Sequence, residues 1–130
     1  MDNQLLERMV SISSIYPDEY RLGEFLRKYL RAHGFTVHTQ RISENRFNIF
    51  AVKGSGTKSI LFYGHLDTVP IGNVRLWTSD PFALIERRGR YYGLGVYDMK
   101  AGIAAFLHAC IHSTSYTKLF LAVDEEYISI

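Results

Sequence analysis

Ser59-Ile60-Leu61-Phe62-Tyr63-Gly64-His65-Leu66-Asp67-Thr68-Val69-Pro70 is the stretch on which the fold turns. Ile60 to Tyr63 is a continuous apolar run, the pattern of a central strand buried on both faces. A Gly-His-x-Asp sequence follows at its carboxyl end. A second run, Leu119-Phe120-Leu121-Ala122-Val123, leads in the same way into Asp124-Glu125-Glu126. Between the two, Ile103 to Ile111 is apolar nearly all round, as expected of a helix buried against a sheet. Buried strands alternating with such a helix indicate an α/β fold: a layered mixed sheet flanked by helices.

Upstream the periodicity agrees. Leu5, Leu6, Met9 and Val10 mark one face of a short helix that ends in the Ser11 to Ser14 stretch. Pro17 followed by Asp18 and Glu19 predicts a helix start, because proline needs no amide partner there and acids suit the positive end of the dipole. Leu22, Phe25, Leu26, Tyr29 and Leu30 repeat at helical spacing, and Gly34 supplies a C-cap. From Phe35 the period changes to two. Residues 35–40 and 46–52 read as strands joined by a turn at Ser43-Glu44-Asn45, and 83–86 with 91–93 as a small hairpin.

Composition narrows the function classes. A length of 130 residues suits one domain, and 47% apolar with 22% charged residues is ordinary for a soluble globular chain. A net charge of +2 is too small to argue for nucleic acid or an anionic membrane. Arg87-Arg88-Gly89-Arg90 reads as an exposed hairpin turn. Cys110 is the single cysteine, so no internal disulfide can form and a reducing compartment is the simpler expectation. Met1-Asp2-Asn3-Gln4 lacks the pattern of a signal peptide, and no apolar run reaches the ~18 residues of a bilayer span. The default expectation is a cytoplasmic protein.

Three short signals carry the chemistry. His65 and Asp67 leave the same side of a strand end if extended geometry persists; the imidazole suits a metal, and the carboxylate would fix its tautomer. Asp98 precedes the apolar helix and has two readings. One is a helix N-cap. The other is a carboxylate bridging two metal ions about 3.5–4 Å apart. Asp124, Glu125 and Glu126 repel one another with no basic residue alongside in sequence, which either a solvated loop or a divalent cation explains. In the second case Glu126 binds metal and Glu125 stays free as a general base.

Other patterns fail on their own terms. His108 and His112 have the i, i+4 spacing of a zinc helix, but Ala109 stands where the glutamate base is required. Gly54-Ser55-Gly56-Thr57-Lys58 lacks phosphate-loop spacing, and Asp98 replaces the third glycine of a dinucleotide fingerprint. Cys110 reads as core.

Taken in order, these motifs resemble the M20 family of zinc peptidases and amidohydrolases, whose members include acetylornithine deacetylases and succinyl-diaminopimelate desuccinylases. The likeness covers nearly the whole chain, from the amino-terminal helices and Gly34-Phe35 through Asn48-Ile49-Phe50-Ala51, Gly64 to Pro70, Trp77 with Asp80-Pro81-Phe82, Tyr92 to Gly95 and Asp98-Met99-Lys100-Ala101-Gly102 to Asp124-Glu125-Glu126. It implies the phosphorylase/hydrolase-like fold of a zinc-peptidase catalytic domain. It also implies that His65 binds one zinc, Asp98 bridges two, Glu126 binds the other, Asp67 orients His65 and Glu125 is the catalytic base. Cobalt is a possible substitute for zinc. The peptide bond after the bridging aspartate, Asp98-Met99, is expected to be cis.

The substrate class so implied is an N-acyl amino acid or small peptide, cleaved at an amide bond. Family members are more than twice this length, and they carry a further acidic ligand, a late histidine ligand and an inserted lid that supports a homodimer. Residues 1–130 are therefore expected to be the amino-terminal part of one catalytic domain, with the lid and carboxyl-terminal part absent, and a poor catalyst alone. The alternative is a short, non-catalytic binding module that retains the half-fold. No nucleic-acid or membrane partner is expected.

Overall fold

Leu5, Leu6, Met9 and Val10 are buried on one face of helix α1 (Asn3–Ser11), as their spacing predicts. In the computed structural model, residues 3–127 are described. The first two residues of the Met1 to Gln4 start, and Ile130, lie outside them. Helix α2 (Tyr20–Ala32) buries Leu22, Leu26 and Leu30, each contributing about 1.5–3 kcal/mol on leaving water. Gly34, at φ 83°, follows its last turn as the C-cap expected of it.

The start of α2 differs from the expectation. Pro17 is not its first helical residue: the Tyr16–Pro17 bond is cis, and Asp18 N donates to Ile15 O at 2.7 Å, closing a separate turn. Ile15 is held beside Thr68 by an isolated parallel bridge, which fixes that turn against another part of the chain. Glu19 then enters the interior rather than facing solvent at the helix end.

The main sheet contains β1 (Thr36–Ser43), β2 (Arg46–Lys53), β3 (Ile60–His65) and a later strand, Thr117–Ala122. Strands Ile85–Arg87 and Arg90–Tyr92, here β4 and β5, form the small hairpin, with exposed Arg88 and Gly89 at its tip. Thr117–Ala122 is then β6, and the sheet order is β1-β2-β6-β3. β1 with β2, and β2 with β6, are antiparallel; β3 and β6 are parallel. The sheet is therefore mixed, as expected.

Alternation places Val37, Ile49, Ala51, Leu119 and Leu121 in the core, together with residues of α1, α2 and α3 (Ala101–Ile111). Phe62 of β3 stacks on Phe106 of α3 with ring centroids 4.4 Å apart. Cys110 is buried in the same core. Among the described residues Ile60 to Tyr63, expected as a central strand, pairs only with β6, and Leu61 is 60% exposed. Its apolar composition records what these residues can bury, not which neighbours pair with them.

Candidate metal centre

β3 and β6 run parallel, and their register sets His65 opposite Ala122. Leu66 N donates to Ala122 O at 2.8 Å and carries the alignment one residue further. Two strand ends thereby reach one level, which brings His65 to the start of the acidic triplet. The third contributor is the turn Val96–Lys100 ahead of α3, broken by extended backbone at Asp98 (φ −123°, ψ 101°). Gly95 opens it at φ 71°, where a Cβ would stand 2.5 Å from Thr68 Cγ2. Only glycine lets this turn pass so close to the segment after β3. The Asp98–Met99 bond is cis, as the resemblance implies.

The side chains converge on one imidazole. His65 is buried, and its Nδ1 lies 2.9 Å from the main-chain oxygen of Asp67. A carbonyl can only accept, so Nδ1 donates and the neutral ring carries its lone pair on Nε2. That Nε2 lies 2.9 Å from Asp98 Oδ1 and 3.9 Å from Glu125 Oε2. Ligand atoms of His65, Glu125 and Glu126 all fall within 4.8 Å of one another. Asp98 is 61% and Glu125 49% exposed, so solvent reaches the cluster from their side.

Asp67 contributes differently from the carboxylate-to-imidazole contact expected of it. Its Oδ1 is 3.7 Å from His65 Nδ1 and has no hydrogen-bond partner, whereas its Oδ2 accepts from Glu126 N at 2.7 Å. The main chain of Asp67 orients His65, and its carboxylate holds the backbone of Glu126. Asp98 is no N-cap: α3 has Lys100 at that position and no side-chain cap bond.

The electrostatics leave negative charge in excess. Among the described residues, no lysine or arginine pairs with Asp67, Asp98, Glu125 or Glu126. Burial, the neighbouring acids Asp98, Glu125 and Asp67 push the Glu126 carboxyl upward, with His65 opposing. For His65, burial disfavours the charged ring, but the hydrogen bonds to Asp98 and to the Asp67 carbonyl and both acidic charges outweigh it, giving a net upward shift. A lone pair facing a carboxylate at 2.9 Å requires positive charge between them, either a proton on the ring or a metal ion. With Glu125 and Glu126 within reach of the same imidazole, this imidazole-and-carboxylate donor set fits a divalent cation such as zinc.

Two residues in this region escaped the sequence. The acidic triplet does have a basic neighbour: Arg46, at the start of β2, pairs with Asp124 at 2.5 Å. Lys100 is only 2% exposed, and its ammonium donates to Met9 O at 3.0 Å and Ile12 O at 2.9 Å. It ties the turn bearing Asp98 to the last carbonyls of α1, and burial pushes its pKa down to about 8. A lysine inside a Gly- and Asp-rich turn was the one signal available; its partners lie far away in sequence. His108 on α3 and His112 just past its end are in edge-to-face contact with each other, and neither joins this cluster.

Comparison with known proteins identifies the family and the fold. The chain matches Peptidase family M20/M25/M40 over residues 61–129. It is 38% identical over 111 residues to a succinyl-diaminopimelate desuccinylase of Rickettsia canadensis, covering 82% of this chain and 29% of that protein. It is 48% identical over 88 residues to an acetylornithine deacetylase of Proteus mirabilis, covering 66% of this chain and 22% of that protein. The structure of human carnosine dipeptidase 1 superposes with a TM-score of 0.82 at 25% identity, over 98% of this chain and 32% of that one. This chain thus spans less than a third of each of these three proteins. Because the match covers both converging strands, the turn that bears Asp98 and the acidic triplet, the chain belongs to peptidase family M20/M25/M40.

Proposed function

We propose that this chain forms part of a metal-dependent hydrolase that cleaves an amide or peptide bond in a small N-acyl amino acid or peptide. The observation that carries the reading is the convergence of His65 Nε2 with the carboxylates of Asp98, Glu125 and Glu126 at the aligned ends of β3 and β6. His65, Asp98 and Glu126 would hold the metal, with Asp98 shared between two zinc ions. When bound, such ions polarise a carbonyl and make water acidic enough to react near neutral pH. Glu125 is half-exposed beside this cluster, so it can take the proton of the attacking water and return it to the departing amine. Asp67 keeps His65 and Glu126 in register through its carbonyl and its carboxylate.

The relatives' greater length supports reading residues 1–130 as the amino-terminal part of a single catalytic domain. Further ligands, and a lid that forms a homodimer, would come from sequence beyond this part, and the part alone would turn over poorly. No helix among the described residues is long and apolar enough to cross a membrane.

The test is an assay of the longest natural form, with zinc or cobalt, against a panel of N-acyl amino acids and dipeptides. Glu125→Ala is expected to lower turnover by about 10²–10⁴-fold, the usual contribution of a positioned base. Undiminished turnover in that variant would remove Glu125 from the mechanism. A folded long form without turnover on any substrate would favour the non-catalytic binding module.

A further inference from the structure

The acidic triplet is gripped from behind, on both of its flanks, by one guanidinium. Arg46 Nε and Nη2 donate to Glu19 Oε2 at 2.9 Å and Oε1 at 2.8 Å, a bidentate pair with a carboxylate that is itself buried. The same Nη2 also donates to Asp124 Oδ1. The guanidinium lies over the Tyr16 ring, 4.6 Å from its centroid. Tyr16 in turn stacks on Tyr127, with centroids 4.1 Å apart and planes 5° from parallel. Asp124 and Tyr127 bracket Glu125 and Glu126 in the chain. One flank is thus held by charge and the other by stacked rings, and both lead to Arg46.

The backbone between these anchors has little freedom. Asp124 stands at φ 71°, in the left-handed region that aspartate enters more readily than most non-glycine residues, with its carboxylate held by Arg46. On the opposite side, Asp67 Oδ2 fixes Glu126 N. The geometry points to Arg46 as a positioning residue, one that aims the carboxylates of Glu125 and Glu126 toward His65 by fixing Asp124 and Tyr127. This rests on the proposed reading of the cluster as a metal centre. An arginine suits the task because its planar fork serves Glu19 bidentately while one nitrogen also reaches Asp124; a lysine ammonium has no such fork.

Cobalt(II) titration of the longest natural form, carried to millimolar metal and followed by visible absorption, tests this alongside the thermal midpoint. Asp124→Asn breaks the grip at a partly exposed residue and leaves the buried Arg46–Glu19 pair intact, so it should fold. Arg46→Lys keeps the charge and loses the fork. Each is expected to weaken cobalt binding by about 10-fold or more, the usual effect of a residue that supports a metal ligand. The double variant should be no weaker than the worse single one, since both act through one contact. A merely structural arginine would lower the thermal midpoint while leaving the cobalt affinity and spectrum of the folded protein unchanged; that result would overturn the inference. His65→Ala supplies the control. If the unsubstituted long form binds cobalt no better than that variant, the metal centre itself is refuted and this inference with it.

Discussion

β3 and β6 are parallel neighbours that deliver their last residues to the same cluster, yet they stand in opposite circumstances. β6 lies between β2 and β3 and buries Leu119 and Leu121 completely. β3 is at least as apolar in sequence, but among the described residues only β6 pairs with it, and Ile60, Leu61 and Tyr63 are largely exposed. Only its carboxyl end, Gly64 and His65, is buried. The difference separates two things that a hydrophobic run confounds. Apolar content makes a strand; the partners on either side decide how deep it lies. The cluster needs only aligned strand ends, and the parallel register supplies those whether or not the rest of β3 is covered.

Three substitutions would break or sharpen this contrast when read by chemical denaturation. The largest effect is expected from Leu121→Ala in β6, at about 2–5 kcal/mol, because a fully buried leucine leaves both lost transfer energy and a cavity. Gly64→Ala comes next, at about 1–2 kcal/mol, since a Cβ there would meet Met99 Cε at 2.9 Å and Sδ at 3.1 Å and crowd a packed site. Leu61→Ala, only three residues earlier on the same strand, should cost about 0.5 kcal/mol or less because the side chain is mostly in water already. Equal losses at Leu61 and Leu121 would show that β3 is covered as deeply as β6, and the contrast would collapse. A neutral Gly64→Ala would show that Met99 does not pin the strand end.

The same contrast explains what the sequence disclosed. Helical periods located α1 and α2, alternation located β1 and β2, and continuous apolar runs located α3, β3 and β6, because each pattern is a local property of 6 to 13 residues. His65, Asp98, Glu125 and Glu126 stood out because each is a polar break at the end of an apolar run. The pairing of β3, Arg46 and Lys100 did not, since each is decided by distant partners. Arg46 meets Glu19 27 positions away and Asp124 78 positions away, and Lys100 reaches 91 positions to Met9. The turn at Pro17 misled for a related reason: its neighbour Ile15 is fixed by Thr68. Asp67 was located but given one function where its carbonyl and carboxylate divide two.

The smallest effect is expected at an ion pair outside both strands, and it turns the contrast between buried and exposed positions onto charge. Glu24 and Arg27 form a bidentate pair at 2.8 and 2.7 Å on the outer part of α2, one turn apart. It copies the geometry of Arg46 with Glu19 without the burial. The hydrogen bond to Arg27 lowers the Glu24 pKa below its ordinary value of 4.5; partial burial opposes this, and Arg27, Lys28 and Arg31 add attraction. Glu24→Gln should therefore cost only about 0.3–0.5 kcal/mol at neutral pH. The sign follows from proton uptake: between the lowered folded value and 4.5 the unfolded chain holds more protons, so this contribution is complete above 4.5 and is lost as pH falls through the folded value. Denaturation of both proteins at neutral pH and near pH ~3 should show a small gap that closes on acidification. A gap as large as that of Leu121→Ala, or one that persists in acid, would mean that this pair is shielded from water and that exposure does not rank these interactions.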